Sequence, residues 1–196
     1  MKELTLFPGQ PMRIYDPPKI IDEIAEAHKW LVQIKKNGHR AIVRCDKSGQ
    51  VTIFSRHGDP LTAAKRQDWQ WLAEVFPPPF VFDGELVGPR QAGSKHDTLH
   101  IWDCALMRGY SWLMMPYHER LGYLAEHWYE HANELEGTAY FHASWPVVQW
   151  QELWDALTDP DGPDEGLVFK RHDVPLAWHR KPGVKDVHQL KLRKKG

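Results

Sequence analysis

Little in this sequence is extreme, and each shortage rules something out. Only two cysteines, Cys45 and Cys104, occur in 196 residues. So few in a chain this long read as reduced packing residues, so neither a disulfide framework nor a redox role is expected. Long hydrophobic runs are absent: stretches such as Ala105–Met107 and Trp112–Met115 are far too short to cross a bilayer. The opening MKELTLFPGQP lacks the cationic region and apolar core of a signal peptide, so a cytoplasmic chain with no membrane partner is expected. An excess of one charge is also missing, with 25 Lys and Arg against 26 Asp and Glu and a formal net charge of −1. No global positive field therefore draws the chain to nucleic acid, and such contact must come from a local cluster. One exists at the C-terminal end: Lys191, Arg193, Lys194 and Lys195.

What is present suits one globular domain, 1–196, with 42% hydrophobic and 26% charged residues and no internal repeat, low-complexity tract or linker. Pro17-Pro18 opens a short amphipathic helix over Lys19–His28. The period then changes to that of strands over Trp30–Lys35, His39–Cys45 and Val51–Ser55, separated by Asn37-Gly38 and Asp46–Gly49, which together predict an antiparallel meander. Helical spacing returns over Leu61–Phe76 and stops at Pro77-Pro78-Pro79. Phe80–Val87 and Thr98–Leu106 are strands around a polar loop, Gly88–Asp97. Pro116–Leu135 and Pro146–Leu157 are helical, and their stripe of Trp128, Trp150 and Trp154 reads as core. After a break over Asp159–Asp164, Gly166–Arg171 and Val187–Arg193 close the chain as strands. The sum is an α+β domain built on antiparallel sheets.

Chemistry gathers first at Lys35-Lys36-Asn37-Gly38-His39-Arg40. In two strands joined by a tight turn, Lys35 and Arg40 can point into one pocket, and Gly38 lets a phosphate approach the backbone. A lysine amine that attacks phosphorus must be partly deprotonated, and a nearby cation such as Arg40 favours that state. Alone, the segment is weak evidence, because an Asn-Gly turn with basic flanks is usually just a solvated turn. The histidine pairs His127/His131 and His96/His100 lack a metal-ligand pattern, and His118-Glu119 has no second histidine at the spacing a zinc helix needs, so solvated or packing roles are read for them.

The Lys35 segment resembles the K-x-D-G-x-R nucleophile motif of the covalent nucleotidyltransferases, the superfamily of DNA ligases, RNA ligases and capping guanylyltransferases. Five more matches follow in the family's order: Phe54-Ser55-Arg56-His57-Gly58, Asp83-Gly84-Glu85-Leu86-Val87, Ile101-Trp102-Asp103, Glu165-Gly166-Leu167-Val168-Phe169-Lys170 and Leu190-Lys191-Leu192-Arg193. They span nearly the whole chain, each on a predicted strand or strand end. The resemblance implies the nucleotidyltransferase (ATP-grasp-like ligase adenylation) fold, two twisted antiparallel sheets flanked by helices with an ATP cleft between them. It implies an ATP-dependent DNA ligase that forms a lysyl-AMP at Lys35 and passes AMP to a polynucleotide 5′-phosphate to seal nicks.

By the same resemblance, Lys35, Arg40, Lys170 and Lys191 are the catalytic set. Gln33, Arg56, Glu85, Trp102 and Arg193 complete the nucleotide site, and Glu85 and Glu165 hold Mg²⁺. Each role has physical sense. Gln33 shares a strand face with Lys35 and could reach the adenine edge, arginine forks suit phosphate, carboxylates suit a hard cation, and a tryptophan face suits a base. Plainer readings stay open, with Gln33 an ordinary strand residue, Trp102 core, and the arginines surface ion-pair partners. The sequence departs from the family pattern at Asn37, where most relatives carry aspartate, at Arg193, usually lysine, and at Gln189, often aromatic. It stops at Gly196, so no OB-fold domain is expected here, and a protein partner could replace one. Arg40, where one RNA ligase group has asparagine, favours nicked DNA as substrate and a DNA ligase; separately, a monomer is expected. The alternatives are an RNA ligase, a GTP-using capping enzyme, or a nucleotide or DNA-end binding module without turnover.

Overall fold

A computed structural model describes residues 6–15, 26–131, 138–157 and 163–194. Its thirteen described strands are β1 (Phe7–Pro8), β2 (Gln10–Arg13), β3 (Trp30–Lys36), β4 (His39–Cys45), β5 (Val51–Phe54), β6 (Phe80–Val87), β7 (Thr98–Met107), β8 (Tyr110–Ser111), β9 (Ala139–Phe141), β10 (Trp145–Pro146), β11 (Asp164–Arg171), β12 (Trp178–His179) and β13 (Lys185–Arg193). Four α-helical pieces accompany them: α1 (Leu72–Val75), α2 (Pro89–Ala92), α3 (Tyr117–Glu130) and α4 (Trp150–Ala156).

Two sheets carry the architecture. One runs β10-β3-β11-β13-β2, the other β5-β4-β6-β7-β8 with β9 added to β7, while β1 and β12 pair by themselves. Most pairs are antiparallel, as expected, but β13–β2 and β7–β9 are parallel. Each sheet buries one face in its own core. Val32, Leu167, Phe169 and Leu192 anchor the first. Ala41, Val43, Phe80, Phe82, Leu99 and Ile101 anchor the second, beneath Leu124 and Trp128 of α3. Because side chains alternate along a strand, the residues between these apolar ones face the other way, toward the opposite sheet.

Several expectations change. The hairpin predicted at Asn37-Gly38 does not form, because β3 and β4 belong to different sheets and these two residues carry the chain across from one to the other. Nonlocal pairing of β3 with β11 and of β4 with β6 decides the partners of the two strands. Gly38 lines the cleft and is also required by packing: a Cβ there would lie 2.4 Å from the Leu86 carbonyl oxygen. The helix predicted over Leu61–Phe76 is a 3₁₀ turn at Thr62–Arg66 plus α1, and Pro146–Leu157 is a 3₁₀ turn followed by α4. The Gly88–Asp97 loop includes α2. Trp128 is core, whereas Trp150 and Trp154 pack partly buried on the first sheet's cluster. Residues 19–25 of the predicted first helix, the end of the Pro116–Leu135 helix, most of the Asp159–Asp164 break and Lys195 lie outside the described residues.

Candidate active site

The polar faces of the two sheets enclose a cleft of ≈ 430 Å³. From the first sheet come Gln33 and Lys35 of β3, Lys170 of β11, and Lys191 and Arg193 of β13. From the second come Arg40 of β4, Glu85 of β6 and Trp102 of β7, with Arg56 on the loop after β5. Glu165 lies at the start of β11. All ten residues proposed from the motifs therefore line one cavity. Their assembly follows from the two-residue alternation of β3, β11, β13, β4 and β6, each of which turns its apolar partners into a core.

Lys35 donates from Nζ to Glu165 Oε1, and Arg193 donates to the same oxygen at 3.1 Å. Arg40 reaches the cleft wall, but its Nε and Nη2 are docked on the buried Asp83 carboxylate, both at 2.5 Å. Its fork thus faces Asp83 rather than Lys35. Asp83 also accepts from Trp102 Nε1 at 2.8 Å, so one carboxylate orients both the arginine and the indole. Glu85, almost fully enclosed, accepts from the Gly38 backbone N–H at 3.2 Å. Burial raises its carboxyl to about 7 against the opposing pull of Lys35 and Arg40. Lys170 is 3% exposed, and burial lowers its ammonium to about 7, with Asp103 and Asp83 opposing that shift. Lys191 is lowered to about 8, first by burial and then by Lys185 and Lys35. Arg56 sits exposed at the rim and donates to His57 Nε2 at 3.0 Å.

Several contributors were not singled out by the motifs. Asp83 was quoted only as part of its motif. Its 2% exposure becomes evident only when β6 is placed against β4 and β7. His142, Gln189, Phe7, Pro8, Gln10 and Pro11 also wall the cleft. Gln189 Nε2 is held by Asp186 at 3.0 Å and by the Gly9 carbonyl at 3.4 Å. Gln33 Nε2 is held by Ser144 Oγ at 2.7 Å, Tyr117 Oη at 3.1 Å and the His142 carbonyl at 3.4 Å. No signal in the sequence pairs positions more than a hundred residues apart.

Residues 13–97 match the family described as ATP dependent DNA ligase domain. No curated protein sequence matches the chain. Among solved structures, a mycobacterial DNA ligase D complexed with ATP superposes with a TM-score of 0.68 at 20% identity, over 98% of this chain and 62% of that one. The ATP-dependent DNA ligase of bacteriophage T7, also with ATP, gives 0.56 at 16% identity, over 95% of this chain and 68% of that one. An archaeal ATP-dependent RNA ligase gives 0.56 at 18% identity, over 95% of this chain and 48% of that one. At these identities the likeness is one of fold. The chain spans about three fifths of the mycobacterial chain it resembles.

Proposed function

For a chain with the nucleotidyltransferase fold of ATP-dependent ligases and a DNA ligase domain match over residues 13–97, we propose adenylylation of Lys35 by ATP and transfer of that AMP to the 5′-phosphate of nicked DNA. The observation that carries this reading is the placement of Lys35 Nζ against Glu165 in a cleft ringed by Lys170, Lys191, Arg193, Glu85 and Trp102. A primary amine enclosed by cations and a π-face has the equipment to attack a nucleoside triphosphate at phosphorus.

In the first step the Nζ–Pα bond forms as the bond from Pα to the pyrophosphate oxygen breaks. The Lys35 ammonium sheds one proton to become a nucleophile and a second on becoming a phosphoramidate. Glu165, in contact with Nζ, is placed to accept the first, and the second leaves to solvent. Lys170 and Lys191 face the charge that develops on the phosphate oxygens, and Trp102 offers a stacking surface for the base. In the second step an oxygen of the DNA 5′-phosphate takes the adenylyl group as the P–N bond breaks and the amine regains its protons. A 3′-hydroxyl then attacks that 5′-phosphate, forming the phosphodiester and releasing AMP.

Glu85 and Glu165 fit a divalent cation, since both present carboxylate oxygens to the cleft. No group of three or more His, Cys, Asp or Glu converges among the described residues, which suits Mg²⁺ held jointly by one or two carboxylates and substrate phosphates. When bound, Mg²⁺ would neutralise phosphate charge and polarise the reacting phosphorus.

The test is incubation with α-³²P-labelled ATP and Mg²⁺ followed by a denaturing gel, beside Lys35→Ala. The expected result is a covalent label that is absent from the mutant and is chased into a nicked duplex. Label in both proteins, or in neither, would overturn the assignment. An archaeal RNA ligase fits the fold as well as the phage DNA ligase does, so a nicked RNA hybrid belongs in the same chase.

A further inference from the structure

Beneath the cleft lies a residue that the nucleotide site uses without exposing it. Tyr117, the first residue of α3, is fully buried and does not line the cavity. Its backbone N–H is satisfied by the Val174 carbonyl at 3.0 Å, so the helix start is fixed independently of the side chain. Its hydroxyl donates to the Trp102 carbonyl at 2.8 Å. That bond uses the one hydrogen a phenol has, so the oxygen is left as an acceptor only. It receives Gln33 Nε2 at 3.1 Å and Lys170 Nζ at 3.2 Å. Burial, then Asp103, hold the phenol well above its ordinary range, so this donor and acceptor pattern persists at working pH.

The pattern settles how the Gln33 amide is turned. The His142 carbonyl and the Tyr117 oxygen are both pure acceptors toward it, so the NH₂ group must face them and Oε1 remains for the cleft. An acceptor presented there favours a base with an exocyclic amino group and opposes one with a carbonyl at the same place. On the other side, Lys170 has the Tyr117 hydroxyl as its described hydrogen-bond partner, while the rings of Tyr117 and Trp102 lie 4.8 Å and 5.3 Å from Nζ. One oxygen thus touches the residue placed to read the base and the lysine placed to hold the phosphate, and through Trp102 it touches the backbone of the stacking residue.

We propose that Tyr117 is a positioning residue, whose hydroxyl holds Gln33 and Lys170 in one register so that base identity and phosphate placement are read together. The inference rests on the nucleotide-binding reading of the cleft. Tyr117→Phe keeps the ring and its packing and removes only the oxygen. Loss of an acceptor for a charged donor predicts about a tenfold fall in kcat/KM for Lys35 labelling by ATP, with a smaller fall for GTP, so that the ATP:GTP ratio drops. Ser144→Ala removes a hydroxyl that accepts from Gln33 and also bonds Tyr117, and it should lower the ratio in the same direction.

Both variants are compared with the native chain by labelling with each nucleotide and by calorimetric binding of ATP and GTP, with melting temperatures recorded. A folded Tyr117→Phe that keeps the native ATP:GTP ratio and kcat overturns the proposal and leaves the network purely structural. Should Tyr117→Phe fail to fold, Lys170→Met, which removes the phosphate-side donor to the same oxygen, decides the coupling: an ATP:GTP binding ratio unchanged from the native chain overturns it. A native chain that binds ATP without becoming labelled would count against the proposed function, while the binding ratio in the variants would still decide the role of Tyr117.

Discussion

Lys170 illustrates how the site trades stability for chemistry at the scale of one residue. Asp83 and Asp103 face it, but Arg40 already pairs with the first and Arg120 with the second, the latter at 3.2 Å. The lysine is therefore the surplus cation in a buried cluster. Lys170→Met should raise stability by roughly 1–2 kcal/mol while abolishing most Lys35 labelling. The gain is best measured by denaturant unfolding at pH 6. There Lys170 is charged in both folded and unfolded chains, and its burial cost is fully present. The folded value, lowered to about 7, also sets a pH signature. As pH rises through about 7 the free protein loses this charge, so kcat/KM for ATP declines, whereas kcat at saturating ATP stays flatter because bound phosphate retains the proton. The Met variant should keep only the later decline near the Lys191 value of about 8. Glu85 also titrates near 7, so a limb near 7 that survives in Lys170→Met and in Lys170→Met/Glu85→Gln alike would remove Lys170 from phosphate binding. The sequence identified Lys170 by its motif, but not its burial, which depends on α3 and β7 closing over it.

Between elements, strand contact rather than turn chemistry governs the site. Gly84 lies in the centre of β6, where a Cβ would meet the His100 carbonyl oxygen of β7 at 2.1 Å. Any side chain there must push β7 away, and with it Trp102, two residues along from the contact. Gly84→Ala should cost about 1–3 kcal/mol, a fall of several degrees in melting temperature for a chain of this size. Weakened stacking should show as a raised KM for ATP. An alanine variant with native melting and KM would mean that the sheet yields locally and that the close approach carries no function. The same logic accounts for the misread hairpin. Asn37-Gly38 is good turn chemistry, but a turn specifies a reversal and not the sheet that receives the next strand. Strand partners are set by core burial: Val32 and Phe169 belong to one core, Ala41 and Phe82 to the other.

For the whole molecule, two cores with polar faces toward each other make the cleft a seam that a ligand can bridge. The first sheet contributes most of the cations and the second contributes Glu85, Trp102 and the Arg40–Asp83 pair. A nucleotide touching both should tie the halves together. With Lys35→Ala to prevent covalent reaction, ATP at a hundredfold excess over its Kd should stabilise the chain by about 2.7 kcal/mol, a rise of roughly 5–10 °C in melting temperature. Any ligand of the folded chain stabilises it, so the seam is read from cooperativity: two separate unfolding transitions, of which ATP raises only one, would place binding on one sheet.

The sequence by itself singled out the residues that meet in one cleft and the strand face most of them occupy. Side-chain alternation is a local property with a period of two, and the motifs at Lys35, Glu85, Lys170 and Lys191 each sit beside their own apolar partners. Only the tertiary structure decided that β3 and β4 part into different sheets, that Arg40 docks on Asp83, and that Tyr117 and Ser144 brace Gln33. Those facts join residues 43 to 111 positions apart, and such pairings arise from burial and the satisfaction of buried polar groups across elements, which no local pattern encodes.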